Sequence, residues 1–139
     1  MNALNMSNNG CLLLLHANES WKELGREELE KYVAQNRAWL QQLVESGKIK
    51  AGQALARTGA MVSGKNGRNV TDGPFAESKE VVGGYLLLNV ETFEEALAIA
   101  KTFPALALGG RVEVRPLTDA CQSETRLDEL QREEQLATA

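Results

Sequence analysis

Cys11-Leu12-Leu13-Leu14-Leu15-His16 is an unbroken apolar run that ends at Ala17-Asn18. Leucine favours helix by intrinsic propensity, but so short a segment cannot stand as a helix in water. A brief apolar run bounded by turn residues is the pattern of a strand buried on both faces. Gly84-Tyr85-Leu86-Leu87-Leu88-Asn89-Val90 repeats that pattern. Strands with apolar groups pointing both ways need cover on both sides of their sheet, and the remaining sequence has to supply it.

Between the two runs the apolar period changes. From Arg26 to about Gly47, Leu29, Tyr32, Val33, Leu40, Leu43 and Val44 fall at three- and four-residue spacings, the stripe of an amphipathic helix. Glu27, Glu28 and Glu30 sit where the helix dipole favours acids, and Gly47 suits a left-handed terminator. Lys50 to Arg57 alternates weakly as a strand. Ala60-Met61-Val62 and Arg68-Asn69-Val70-Thr71 flank Ser63-Gly64-Lys65-Asn66-Gly67, whose Asn-Gly step signals a hairpin. Past the second apolar run, Thr92 and Glu95 form a capping box, and Phe93, Ala96, Leu97 and Ala100 mark one helical face. Pro104 cannot continue that helix. Arg111-Val112-Glu113-Val114-Arg115 then alternates as a strand and stops at Pro116.

The order strand, helix, strand with hairpin, strand, helix, strand predicts an α+β chain. Its expected fold is ferredoxin-like βαββαβ, with an antiparallel sheet and an inserted hairpin. Both helices of that topology lie on one side of the sheet, so a second copy, related by a two-fold axis, is the expected cover for the other. The domain is expected over residues 10–117. Residues 1–9 and 118–139 read as flexible termini, with Leu127 and Leu130 able to nucleate only a marginal short helix.

Composition bounds the function. The chain has 139 residues, 43% of them hydrophobic and 24% charged, enough for one domain that folds without staples. Its net charge of −4 and the absence of a long basic run argue against nucleic acid or an anionic membrane as partner. Cys11 and Cys121 stand far apart with no CxxC or Cys/His cluster, so reduced thiols are expected and metal binding is not. The N-terminal apolar run is too short for a signal sequence or a membrane span, which predicts a soluble cytoplasmic protein. No cofactor is expected. Gly59-Ala60-Met61-Val62-Ser63-Gly64-Lys65 imitates much of a phosphate-binding loop, but Asn66 stands where Ser or Thr is required. The sequons at Asn18 and Asn69 are chance matches in a chain without a secretion signal.

Val70-Thr71-Asp72-Gly73-Pro74-Phe75-Ala76-Glu77-Ser78-Lys79-Glu80, followed by Gly83-Gly84-Tyr85, resembles the signature of the DGPF branch of the YCII-related proteins. Glu113-Val114-Arg115-Pro116 is similar to the end of that domain. The resemblance implies a dimeric α/β barrel, and relatives with that architecture include isomerases and cofactor-free oxygenases acting on small ring compounds. It also implies a link to extracytoplasmic-function sigma factors, beside which such proteins are often encoded. Many YCII-related proteins use a His–Asp pair whose histidine lies near the start of the first helix. Here that region reads Leu24-Gly25-Arg26-Glu27-Glu28, so the pair does not carry over.

The candidate site residues each have a functional and a structural reading. Asp72 is an acid, base or ligand acceptor on one reading, and on the other it caps a turn that Gly73 permits, Pro74 fixes and Phe75 pins to the core. Lys79 and Glu80 are a charged pair beside a pocket or a solvated loop pair. Gly83 and Gly84 admit a ligand, a neighbouring backbone or a bulge. Tyr85 offers a hydroxyl to a pocket or is core with a satisfied tip. His16, the only histidine, is a general base or a structural strand-end residue. Glu113 and Arg115 share one side of the last strand and hold a polar ligand, or pair with each other or across a dimer. Two functions follow. One is a small cofactor-independent enzyme using Asp72 with His16 or Tyr85; the other is a noncatalytic ligand-sensing or regulatory module linked to a sigma factor.

Overall fold

A computed structural model describes residues 10–17, 20–72 and 81–138. Along the chain run β1 (Cys11–Ala17), α1 (Arg26–Glu45), β2 (Ile49–Ala54), β3 (Ala60–Ser63), β4 (Asn69–Asp72), β5 (Val81–Leu88), α2 (Phe93–Ala100), β6 (Arg111–Pro116) and α3 (Gln122–Thr138). The main sheet has the order β2-β5-β1-β6 with every pair antiparallel, and β3 and β4 form a separate two-stranded sheet. This is the ferredoxin-like arrangement with a hairpin inserted between its second and third core strands. The two leucine-rich runs pair with each other at the centre, Leu13 opposite Leu86 and Cys11 opposite Leu88.

Alternation along these strands decides the core. Cys11, Leu13 and Leu88 are fully buried, and with Leu86 they join Trp39 and Leu43 of α1 and Ala96 and Ala100 of α2 in one cluster. Both helices therefore cover the same side of the sheet. The Trp39 ring lies 5.3 Å from that of Phe103, and its indole Nε1 donates to Thr102 Oγ1 at 2.7 Å. A large apolar body and a satisfied polar tip thus join α1 to the end of α2.

Local signals set the helix ends. Gly47 takes φ 71° after α1, the left-handed backbone that a side chain resists, and Lys48 N returns to Leu43 O at 2.9 Å. Thr92 Oγ1 accepts from Glu95 N at 3.1 Å at the start of α2. The Glu95 carboxylate also takes the Lys48 ammonium, tying α2 to the entry of β2. That hydrogen bond holds the Glu95 carboxyl below its usual range. The contact therefore contributes above the ordinary carboxylate pKa and is lost as pH falls through the lowered one.

Two stretches differ from their expectation. β2 stops at Ala54, short of Arg57. Residues 122–138, expected as part of a flexible terminus, form α3, in which every residue is exposed. Its Glu, Arg, Gln, Leu and Ala content favours helix, and Arg126 bridges to Glu129 at 3.1 Å and Glu133 at 3.7 Å along one face.

Leu13→Ala should cost about 2–5 kcal/mol, read as a lower urea midpoint, because Leu13 is wholly enclosed between the helices and the central strands. An unchanged midpoint would mean that this side of the sheet is not the core.

Candidate functional site

The sheet's other side, away from the helices, carries the polar candidates. Leu12, Leu14 and His16 alternate with the buried residues of β1. Leu14 lies in register with Tyr85 on one neighbour and Glu113 on the other, and Leu12 with Leu87 and Arg115. Leu12, Leu14, Tyr85 and Leu87 are half-buried, so this side holds an apolar patch beside a charged edge. At that edge His16 Nε2 lies 3.5 Å from Glu113 Oε1, and Arg115 Nη1 donates to Glu113 Oε2 at 2.9 Å. The Arg115 bond holds the Glu113 carboxyl below its usual range, and His16 acts in the same direction more weakly. His16 has a side chain only 16% exposed, and its Nδ1 is buried without a hydrogen-bond partner among the described residues.

A second feature lies on the helix side, at the β2 edge. Leu40 and Val44 of α1 face Ile49, Gly52 and Ala54 of β2 and Gly83, Gly84, Tyr85 and Leu86 of β5 across a cleft of about 390 Å³, also lined by Leu15. Its lining is nearly all apolar, with Gln53 and Tyr85 the polar residues whose atoms reach it. Val44 is 63% and Leu40 37% exposed, so the α1 wall borders solvent. Volumes of this order, with few polar groups, suit small organic ligands.

The glycines of β5 have distinct jobs. β1 and β5 slip register between Leu15 and His16, because Leu15 faces Gly84 while His16 faces Val82, leaving Gly83 as the bulged residue. At Gly84 a Cβ would sit 3.0 Å from Gln53 O, so β2 could not keep its present approach to β5 beside a larger residue.

The candidates thus fall into groups. His16, Glu113 and Arg115 meet on the open side of the sheet, while Gly83, Gly84 and Tyr85 line the cleft. Asp72 ends β4 opposite Ala60, exposed and in a different sheet from His16 and Tyr85. Gly73, Pro74, Phe75, Lys79 and Glu80 lie outside the described residues. Sequence reasoning missed Leu40, Val44, Ile49 and Gln53 as lining. The available signal was the width of the α1 stripe, which carries more apolar residues than the core absorbs. Burial pushes the Cys11 thiol up, whereas the Ser123 hydroxyl, 3.2 Å from Cys121 Sγ, lowers the exposed Cys121 thiol. Among the described residues no group of three or more His, Cys, Asp or Glu is placed to hold a metal ion, and no helix is long and apolar enough to cross a membrane.

The family profile of the YCII-related domain matches residues 11–120. An uncharacterised protein of Rhizobium meliloti (strain 1021) is 34% identical over 96 residues, covering 66% of this chain and 77% of that protein.

Arg115→Ala should move the Glu113 carboxyl back up toward the usual range, followed by carbon-13 NMR titration of the side-chain carboxyl, because Arg115 is the main cause of its lowering. A titration that does not move would assign the lowering to another neighbour.

Proposed function

We propose that this chain, which belongs to the YCII-related domain family, binds a small, mainly apolar organic molecule in the cleft between α1, β2 and β5. The observation that carries this reading is the cleft itself: about 390 Å³, walled by aliphatic side chains and opened at a glycine-rich stretch of β5. Gln53 and Tyr85 line the cleft, where their backbone groups can orient a ligand, while burial of its apolar surface supplies most of the affinity. The best-supported role is ligand sensing. The exposed hairpin position of Asp72, apart from the His16 cluster, favours binding over acid–base turnover. The resemblance to DGPF proteins gives the sensing module its proposed context, a regulatory system linked to an extracytoplasmic-function sigma factor.

A small cofactor-independent enzyme is the second reading, favoured by the largely buried His16 imidazole beside the Glu113 carboxylate. The two readings separate in one experiment. Screening small cyclic and aromatic molecules by protein NMR should give saturable shifts at Leu15, Ile49 and Tyr85, and Val44→Trp at the exposed cleft mouth should weaken binding about tenfold or more. Shifts confined to other surfaces would sink the cleft as the site. The bound molecule, followed for hours in the same tube, stays intact if the protein is a sensor and is converted if it is an enzyme.

The open side of the sheet is proposed to pair with a second copy about a two-fold axis. Half-buried Leu12, Leu14, Tyr85 and Leu87 supply the apolar part of that interface, with the Glu113–Arg115 pair at its edge. Leu14→Glu should convert the dimer to monomer in sedimentation equilibrium while the circular dichroism spectrum is kept. A variant that sediments as the parent does would remove this face from the interface.

A further inference from the structure

The hairpin and the C-terminal helix are two elements that the core does not use. Every residue of β3, β4 and α3 is exposed. Each would be marginal alone in water, since an isolated two-stranded hairpin and an isolated helix of this length both lack a face to bury. Their chemistry is complementary. On the hairpin Val62 and Val70 form a cross-strand pair, 62% and 60% exposed, and the adjoining turn carries Lys65 and Arg68. On α3, Leu127 and Leu130 lie on one side, 57% and 39% exposed, and helical spacing sets Glu124 and Glu134 on the same side at either end of them.

We infer that α3 of one copy docks on the β3–β4 hairpin of a second copy, with Leu127 and Leu130 against Val62 and Val70 and the α3 acids against Lys65 and Arg68. The occupant is another copy because of where the two elements leave the sheet. The hairpin follows β2 and α3 follows β6, and these are the opposite outer strands of the main sheet. Among the described residues, none of α3 is buried. A two-fold axis lets each copy give one helix and receive one, so both marginal elements are covered twice over by a single symmetric exchange. Opposite charges select the pairing and set its orientation, and salt weakens it. The exchange is a second contact within the same two-fold pair, so it rests on the proposed pairing of the open sheet faces and forms only while they are paired; it does not depend on the cleft.

The test uses two full-length chains, both with Cys121→Ser, one carrying Val62→Cys and the other Leu127→Cys. All the altered positions are exposed, and the remaining Cys11 is buried. Mild oxidation of the mixture should give a disulfide-linked heterodimer. Adding Lys65→Glu and Arg68→Glu to the first chain should cut its yield about tenfold, and adding Glu124→Lys and Glu134→Lys to the second should restore it. A yield no higher than that of a Lys31→Cys control with the Leu127→Cys chain would overturn the exchange, as would a yield indifferent to charge. An intrachain disulfide formed at high dilution in the Val62→Cys/Leu127→Cys double variant would overturn it too, by showing that α3 folds back on its own hairpin.

Discussion

The pairing of β1 with β5 is the constraint on which the rest depends. Both strands are apolar on both faces, and they sit side by side at the centre of the sheet. Such a pair cannot be left with either face in water without losing the burial that stabilises it. On one side, α1 and α2 supply cover, joined by the Trp39–Thr102 hydrogen bond and by the salt bridge between Lys48 and Glu95. On the other side Leu12, Leu14, Tyr85 and Leu87 are only half covered. The same chemistry that makes the centre of the sheet stable thus leaves a second apolar face in partial contact with water.

The cleft arises from the same geometry. α1 covers the centre of the sheet through Trp39 and Leu43, but Leu40 and Val44 reach toward β2, where glycine and alanine leave little to pack against. A gap opens where the helix stripe is wider than the bulk available beneath it. The polar cluster of His16, Glu113 and Arg115 lies on the other side of the sheet, which separates a site suited to an apolar ligand from a surface suited to specific pairing.

Much of this was legible in residues. The leucine runs, the α1 stripe, the Thr92 cap and the Asn-Gly turn gave the elements in order, because each depends on local spacing or on a side chain bonding to nearby backbone. The parity of Glu113 and Arg115 likewise placed them side by side. What stayed hidden depends on the third dimension. The exposure of Asp72 follows from the hairpin forming its own sheet, which no periodicity within the Asp72-Gly73-Pro74-Phe75 stretch reveals. The cleft depends on how much volume faces the α1 stripe, and α3 on helix propensity summed over a segment that lacks an apolar stripe wide enough to announce it.

The register slip at Gly83 changes how the first part of β5 must be read. Strict alternation from Gly84 would put Val82 on the helix side, yet the slip sets it opposite His16 on the other. The bulge therefore acts as a phase shift written into the chain. Deleting one residue there would leave composition and hydropathy almost untouched but remove the apolar wall beside the imidazole. Residue count at that point therefore matters more to the neighbours of His16 than side-chain identity does.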